Sequence, residues 1–515
     1  MSLDSASPVL LTIGAIALTY ILRRKAKTLP LPPGPRGLPL LGNVLDIPPE
    51  NHWVKFAELG DVWGPIATLR APGQTLIIVN SLAIAETLLE VHGANFADRT
   101  VIPMGGEITG FKNVLAMAQY GDRVRAERKI FHQLFSTRAK IVDKFGGIIE
   151  EEVRRLLLGI LADPEDGFWP THSDRFTGAI TLKIAYGYHV PDAPQQDPLL
   201  EMFETAGRNF AQSMKPAAFL VDLVPLLMYW PEWLPGGDFH RIGREWAAQL
   251  HATVNIPLLA DSRLMVMQTS TTSCFVSSLI EQGKHDEYLI KWAAASIQQG
   301  GADTTASALR GFLLAMSMYP EIQARAQQEI DSVVAAEARL PTVADRGRLP
   351  YIEALCKEVL RWHVVIPAVP HRTSEDFVYE RGDGLPPFLI PRDSVIVANI
   401  WKFAHDPNIY DDPEVFNPSR FLETSEMDPA RICFGFGRRI CPGKLLASET
   451  LFITVASLLS VFRISKPRIE GVPIKEGTKR HPGQTSGIVT HPIAFQCTVE
   501  PRGERAVSFI RQGEL

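Results

Sequence analysis

Ten residues towards the C-terminal end, Phe434–Gly443 (FGFGRRICPG), constrain this chain more than any other stretch. Gly435, Gly437 and Gly443 permit a tight loop and a close approach of backbone to a flat partner. Backbone N–H groups in such a loop can turn towards a sulfur, and Pro442 opens a helix over 443–459 whose positive end lies beside Cys441. A thiolate in that setting stays ionised and is open to a metal on one side. Arg439 is placed to meet an anionic group. The plainer reading of Cys441 is a buried structural cysteine.

Two further stretches read as helices that carry chemistry. Tyr351–Trp362 (YIEALCKEVLRW) is amphipathic, and Glu358 and Arg361 stand three residues apart on one face, where they can pair. Alone, such a pair is usually a solvated surface bridge of little worth. A long helix covers about 285–319 and is stopped by Pro320, with GGADTT at 300–305 in its middle. Two adjacent glycines weaken a helix by about 1 kcal/mol each relative to alanine, so something should account for them. Thr304 can donate back to the carbonyl of residue 300 and open the helix locally. The alternative is a small-residue packing contact.

These stretches resemble the cytochrome P-450 superfamily of haem-thiolate monooxygenases. The family's haem loop, F-x-x-G-x-R-x-C-x-G, is matched by Phe434, Gly437, Arg439, Cys441 and Gly443. Its E-x-x-R is matched by Glu358 and Arg361, and its A/G-G-x-D/E-T by residues 300–304. The similarity runs from a proline-rich segment near residue 29 to about residue 497, and its flavour is that of the fungal O-methylsterigmatocystin oxidoreductase-like enzymes of secondary metabolism.

The resemblance implies a mostly α fold with small β-sheets and one large haem domain. It implies haem b (iron protoporphyrin IX) held by Cys441 as proximal ligand, with Phe434, Gly435 and Gly443 around it and O2 as co-substrate. Glu358 and Arg361 would form a buried triad with Arg420 of FNPSRF, supporting the proximal face. Asp303 and Thr304 would be a proton-delivery pair. By family position, His371 and Arg128 join Arg439 at the haem propionates. The Trp of the family's W-x-x-x-R is Val124 here, which has no N–H to donate, so one propionate contact is missing or is replaced by Arg125 or a water. Val364, Val365, Ile366, Ala368 and Ile488 are candidate pocket lining.

The implied activity is oxidation of a lipophilic small molecule. Electrons from NADPH would arrive through NADPH–cytochrome P-450 reductase docking near Arg438, Arg439 and Lys444, with cytochrome b5 as a further partner. Two rivals stay open: a haem-thiolate isomerase or dehydratase that needs no O2, against which the intact Asp303–Thr304 pair argues, and a non-catalytic haem-binding protein.

The N-terminus adds a membrane expectation. Residues 3–22 hold Asp4 as their one charge, and Arg23, Arg24, Lys25 and Lys27 follow. About twenty apolar residues suffice to cross a bilayer, and the basic flank would place the body in the cytosol, at the endoplasmic reticulum membrane. A cleaved signal peptide would carry its positive charge before the apolar run. Residues 1–28 are therefore read as an anchor, 29–51 as a stiff proline-rich hinge, and 52–515 as the catalytic domain. The greasy stretch 210–234 reads either as plain core or as a substrate-entry lid touching the membrane.

Of 515 residues, 46% are hydrophobic and 21% charged, and 52 basic against 57 acidic residues leave a net charge of −5. That balance excludes a mainly disordered chain and gives no support to nucleic-acid binding. The five cysteines are scattered with no C-x-x-C pair, which argues against a zinc ribbon or a disulfide framework. Apolar periodicity predicts helices over 141–161, 256–281 and 323–336, and β-branched runs predict strands within 68–79 and 393–398.

Overall fold

The computed structural model describes residues 29–39, 41–48, 50–163, 170–192, 195–215, 218–258, 274–334, 337–382, 384–422, 426–469 and 480–511. The expected anchor, 1–28, lies outside the described residues. The architecture is mostly α with small β-sheets, as the sequence implies. Its longer helices are α1 (His52–Trp63), α2 (Asp122–Phe135), α3 (Arg138–Ala162), α4 (Pro170–Tyr186), α5 (Pro198–Ser213), α6 (Phe239–Asn255), α7 (Glu287–Met318), α8 (Pro320–Val334), α9 (Pro350–Trp362) and α10 (Lys444–Val461).

Two of these helices are central for a reason legible in their composition. α10 is apolar on every side, so it has no face to offer water, and Glu449–Val461 are all buried. It is also the one described helix long and apolar enough to cross a membrane, but 72% of it is buried within the protein. α7 packs its Ala-, Gly- and Leu-rich length against α4 and α10, with Ala293–Ala295 and Thr305–Leu309 inside. α3, α4, α7, α9 and α10 share one apolar core.

The strands build a side layer. β1 (Ile66–Ala71), β2 (Gln74–Val79), β3 (Val369–Arg372) and β6 (Val395–Ala398) form a sheet in the order β1-β2-β6-β3. β2 and β6 run parallel, which requires a long crossover, and most of the helical body lies between them in sequence. β4 (Phe377–Tyr379) pairs with β5 (Phe388–Ile390), and β7 (Phe462–Ile469) with β8 (Phe495–Pro501). The proline-rich segment is stitched to this layer. The Pro30 carbonyl accepts from Leu389 N–H and the Pro33 carbonyl from Thr68 N–H, each at 2.8 Å.

Two local expectations are corrected. The helix expected over 256–281 is not continuous: α6 ends at Asn255, Ile256–Leu258 is a 3-10 turn, and a separate helix runs Phe275–Gln282. Pro257 explains the break, since it lacks a donor and clashes with the preceding turn. The stretch 210–234 is not plain core. Leu220, Leu226, Tyr229 and Trp233 are 70–82% exposed, while Phe219 packs edge-on against Trp246 of α6. Its short turns cannot hide so many apolar side chains on one side.

Candidate active site

The loop before α10 folds as its glycines dictate. Cys441 N–H donates to Phe434 O at 2.8 Å and closes the turn. Gly435 and Gly437 both have positive φ, and a Cβ at Gly437 would stand 2.1 Å from the Leu89 carbonyl oxygen, so no larger residue fits there. α10 begins at Lys444 with Gly443 before it, and the Gly443 N–H points at the Cys441 sulfur. Burial nevertheless pushes the thiol up, and outweighs the downward pull of that N–H, of Arg128 and of Lys444. The dipoles reduce the cost of ionisation, and a coordinated cation has to complete it.

Beside the loop, cations gather whose side-chain donors all go to backbone carbonyls, with Asp98 and Glu127 as the nearby acids. Arg439 is buried and donates Nε–H to Ala97 O at 2.5 Å, Nη2–H to Ala118 O at 2.5 Å and Nη1–H to Leu115 O at 3.3 Å. Arg128 donates to Ile440 O at 2.9 Å. Arg99 donates to Ala116 O at 2.8 Å and to Pro370 O at 2.6 Å. All these partners are backbone carbonyls. Burial lowers Arg99 to about 9, helped by the charges of Arg439 and Arg128, and lowers Arg439 to about 10, helped by Arg128. His371 is buried on β3, with Nδ1 2.9 Å from the Phe96 carbonyl and Nε2 buried without a partner. Burial and the nearby arginines hold its imidazole well below its ordinary range. Three guanidiniums around one spot form a cradle for anionic groups, while the Phe96 carbonyl fixes the proton of neutral His371 on Nδ1 and leaves its Nε2 an acceptor.

On α7 the two adjacent glycines have different reasons. A Cβ on Gly301 would meet Thr181 of α4 at 2.7 Å, whereas one on Gly300 would meet nothing within 4 Å. Gly301 therefore serves helix packing, and Gly300 faces open space. Thr304 Oγ1–H donates to the Gly300 carbonyl at 2.7 Å, yet the helix runs unbroken through both. Asp303 Oδ1 is 3.1 Å from His491 Nε2. Burial pushes the Asp303 carboxyl up, but the His491 hydrogen bond, with the charge of Arg310 behind it, outweighs it and holds it below the usual range.

Below α9, Glu358 and Arg361 are wholly buried and joined by two bonds of 2.7 Å, and Arg420 Nε reaches Glu358 Oε1 at 3.2 Å. Arg361 also donates to Ala404 O and Pro413 O, and Arg420 to Asp411 O and Glu426. The triad thus ties α9 to the 404–426 segment that leads into the cysteine loop.

The family model for cytochrome P450 matches residues 32–499. The chain belongs to the cytochrome P450 family. It is similar to cytochrome P450 monooxygenase 208 of Postia placenta, 42% identical over 98% of this chain and 96% of that protein. It is 40% identical to cytochrome P450 monooxygenase claR of Ampulloclitocybe clavipes, over 98% of this chain and 94% of that one. It is 36% identical to ppsD of Aspergillus oryzae, over 96% and 93%.

A P450 carries haem b, and the anion cradle fits that group's two propionates beside the one cysteine that an N–H and two cations favour as thiolate. Arg99 belongs to this cradle and escapes motif reading, because it stands alone in an irregular segment. Arg125, expected as a substitute for the family's Trp, is turned away: its side chain is 55% exposed and bonded to Asp122. Val124 instead lines a cavity of about 280 Å³ shared with Thr100, Met117 and Ala118.

Among the pocket candidates, Val364 is 1% exposed inside a core cluster with Phe436 and Ile396, so it does not offer its side chain to a ligand. Val365, Ile366 and Ala368 are half-buried. Ile488 is half-buried against the apolar cluster that includes Phe111, Val114 and Trp292, beside which Phe210 also packs. Arg439, expected to help dock a reductase, is 7% exposed and faces inward, which leaves Arg438 and Lys444 on that surface.

Proposed function

We propose that this P450 oxidises a lipophilic small molecule in fungal secondary metabolism, anchored to the endoplasmic reticulum membrane through residues 1–28 and supplied with electrons from NADPH. The observation that carries the chemistry is the convergence on one face of the Cys441 sulfur and the unpaired cations Arg99, Arg128 and Arg439. Haem, when bound, supplies an iron that activates O2, and a thiolate ligand raises its electron density.

This chain's own residues do the rest. Cys441 would supply the thiolate ligand to the iron. Arg99, Arg128 and Arg439 would hold the propionates, and His371 would join them once a proton is shared onto its Nε2. Gly300 keeps its side of α7 clear for a small molecule. Asp303 and Thr304 move protons to that place from within one helical turn. Ile488, with Phe111, Phe210 and Trp292, supplies an apolar wall suited to a lipophilic substrate.

Similarity to monooxygenase 208, claR and ppsD supports the oxygen-inserting reading and the fungal setting. Arg438 and Lys444 offer positive charge to NADPH–cytochrome P450 reductase, and cytochrome b5 fits the same surface. The exposed Leu226, Tyr229 and Trp233 suit a membrane interface, where Trp and Tyr are favoured.

The deciding experiment is the absorption of the reduced, carbon monoxide-bound protein. The thiolate signature should be present in the wild type and absent in Cys441→Ser. Its absence from the wild type would overturn the reading. Deletion of 1–28 should weaken membrane association, and further replacement of Leu226, Tyr229 and Trp233 by serine should release the protein into the soluble fraction.

A further inference from the structure

His491 is the side chain that the motifs do not explain. It stands in the 484–492 hairpin, which closes through the Gln484–Pro492 bridge and Thr485 N–H to His491 O at 2.8 Å. The hairpin is fixed from both sides. Thr490 N–H donates to Val365 O at 2.9 Å, and Ser307 of α7 donates to Thr490 O. One arm then carries Ile488 to the apolar wall and the other carries His491 to Asp303.

The partners of His491 settle its protonation. Arg310 Nη1 is 2.9 Å from His491 Nδ1, and a guanidinium can only donate. Nδ1 must therefore be bare, and the proton sits on Nε2, facing Asp303 Oδ1 at 3.1 Å. Arg310 is fixed in turn by Ser173 Oγ at 3.0 Å and by Asp174, both on α4. A neutral imidazole of one set tautomer is thus aimed at the Asp303 carboxylate. Because arginine does not give up its proton, this row ends at Arg310 and cannot itself carry protons inward.

We infer that His491 is a positioning residue that latches the Asp303 carboxylate by a directed hydrogen bond, with Arg310 and Asp174 fixing the tautomer. It holds Asp303 ionised and turned towards the hairpin, so that the carboxylate has to leave His491 to serve Thr304, whose own hydroxyl is given to Gly300. The lowered pKa of Asp303 agrees with such a latch. The inference rests on the proposed role of Asp303 in proton delivery.

Other charged groups face this site. Arg310 lies on α7 with Asp303, and Asp174 lies on α4, itself near Glu204 of α5. His363, at the end of α9, is kept neutral by burial first, helped by the charge of Arg310.

The test uses the full-length haem protein, reduced and bound to carbon monoxide, whose C–O stretch reports polar groups near the iron without turnover. As pH is lowered, the wild type should show one transition from Asp303 protonation, and Asp303→Asn should lack it. His491→Ala, which removes the donor, should move the transition upward by about one pH unit. His491→Gln, which keeps a donor near the Nε2 position, should restore most of the shift. His491→Ala in the Asp303→Asn background should add nothing. If Asp303→Asn abolishes the transition but His491→Ala leaves it in place, the latch is refuted and the role of Asp303 stands. If Asp303→Asn changes nothing, both are refuted. Presence of the thiolate absorption in each variant verifies that it folds and holds haem.

Discussion

Arg99 and Arg439 press on one another: they reach the same spot from segments far apart in sequence, and the charge of Arg439 helps to lower Arg99 to about 9. Their hydrogen bonds go to carbonyls of the 97–118 segment and of residue 370, and the nearby acids Asp98 and Glu127 offset only part of the repulsion on Arg439. Two consequences of opposite sign follow. Arg99→Met should leave the haem-free protein as stable as before, or more so, because one buried like charge is removed. The same substitution should speed haem loss by about tenfold or more, since a propionate loses a charge-assisted bond worth about 1.5–3 kcal/mol. Transfer of haem to excess apomyoglobin measures the second effect, and thermal unfolding of the haem-free protein the first.

The Glu358–Arg361 pair is wholly buried, and removing one member leaves a charge without compensation. Glu358→Gln and Arg361→Ala should each cost about 3–5 kcal/mol. Arg361→Lys should recover little, because one ammonium cannot make the fork to Glu358 and also reach Ala404 O and Pro413 O. The yield of soluble protein with the thiolate absorption should fall sharply in all three.

Acid should destabilise the molecule through its buried histidines. His363 and His405 are 0% and 8% exposed, and burial holds both neutral, His405 down to about 3. Their folded pKa values lie below the unfolded value, so only the unfolded chain takes up their protons near pH 6. The associated stability is complete above about pH 6.5 and is lost as pH falls, at about 1.4 kcal/mol per pH unit for each histidine. Melting temperature should therefore drop steeply between pH 6.5 and 5. His405→Phe, which can keep the stack on Trp401 but cannot titrate, should flatten that slope.

Thr304 donates within α7 and is only half-buried, so its loss should change chemistry more than stability. Thr304→Ala should lower product formed per NADPH consumed several-fold and raise hydrogen peroxide release, with a melting temperature close to the wild type. Thr304→Ser, which keeps the hydroxyl, should recover most of the coupling. Equal coupling in Thr304→Ala would remove Thr304 from proton delivery.

Much of this was written locally. The loop glycines, the cysteine they present and the start of α10 are short-range facts, because φ preference and steric room depend on neighbours in the chain. The apolar side chains spread around every side of α10 likewise favour its central burial. What tertiary structure alone decided concerns side chains whose partners are remote in sequence. Arg99 joins the cradle because the 97–118 segment folds back beside β3, and His491 meets Asp303 because a hairpin crosses α7. Arg439 turns inward and Arg125 outward by packing that no local pattern records. Sequence specifies which groups a helix or turn can present; which charges share a buried volume depends on contacts between distant segments, and electrostatics in low dielectric depends on that sharing.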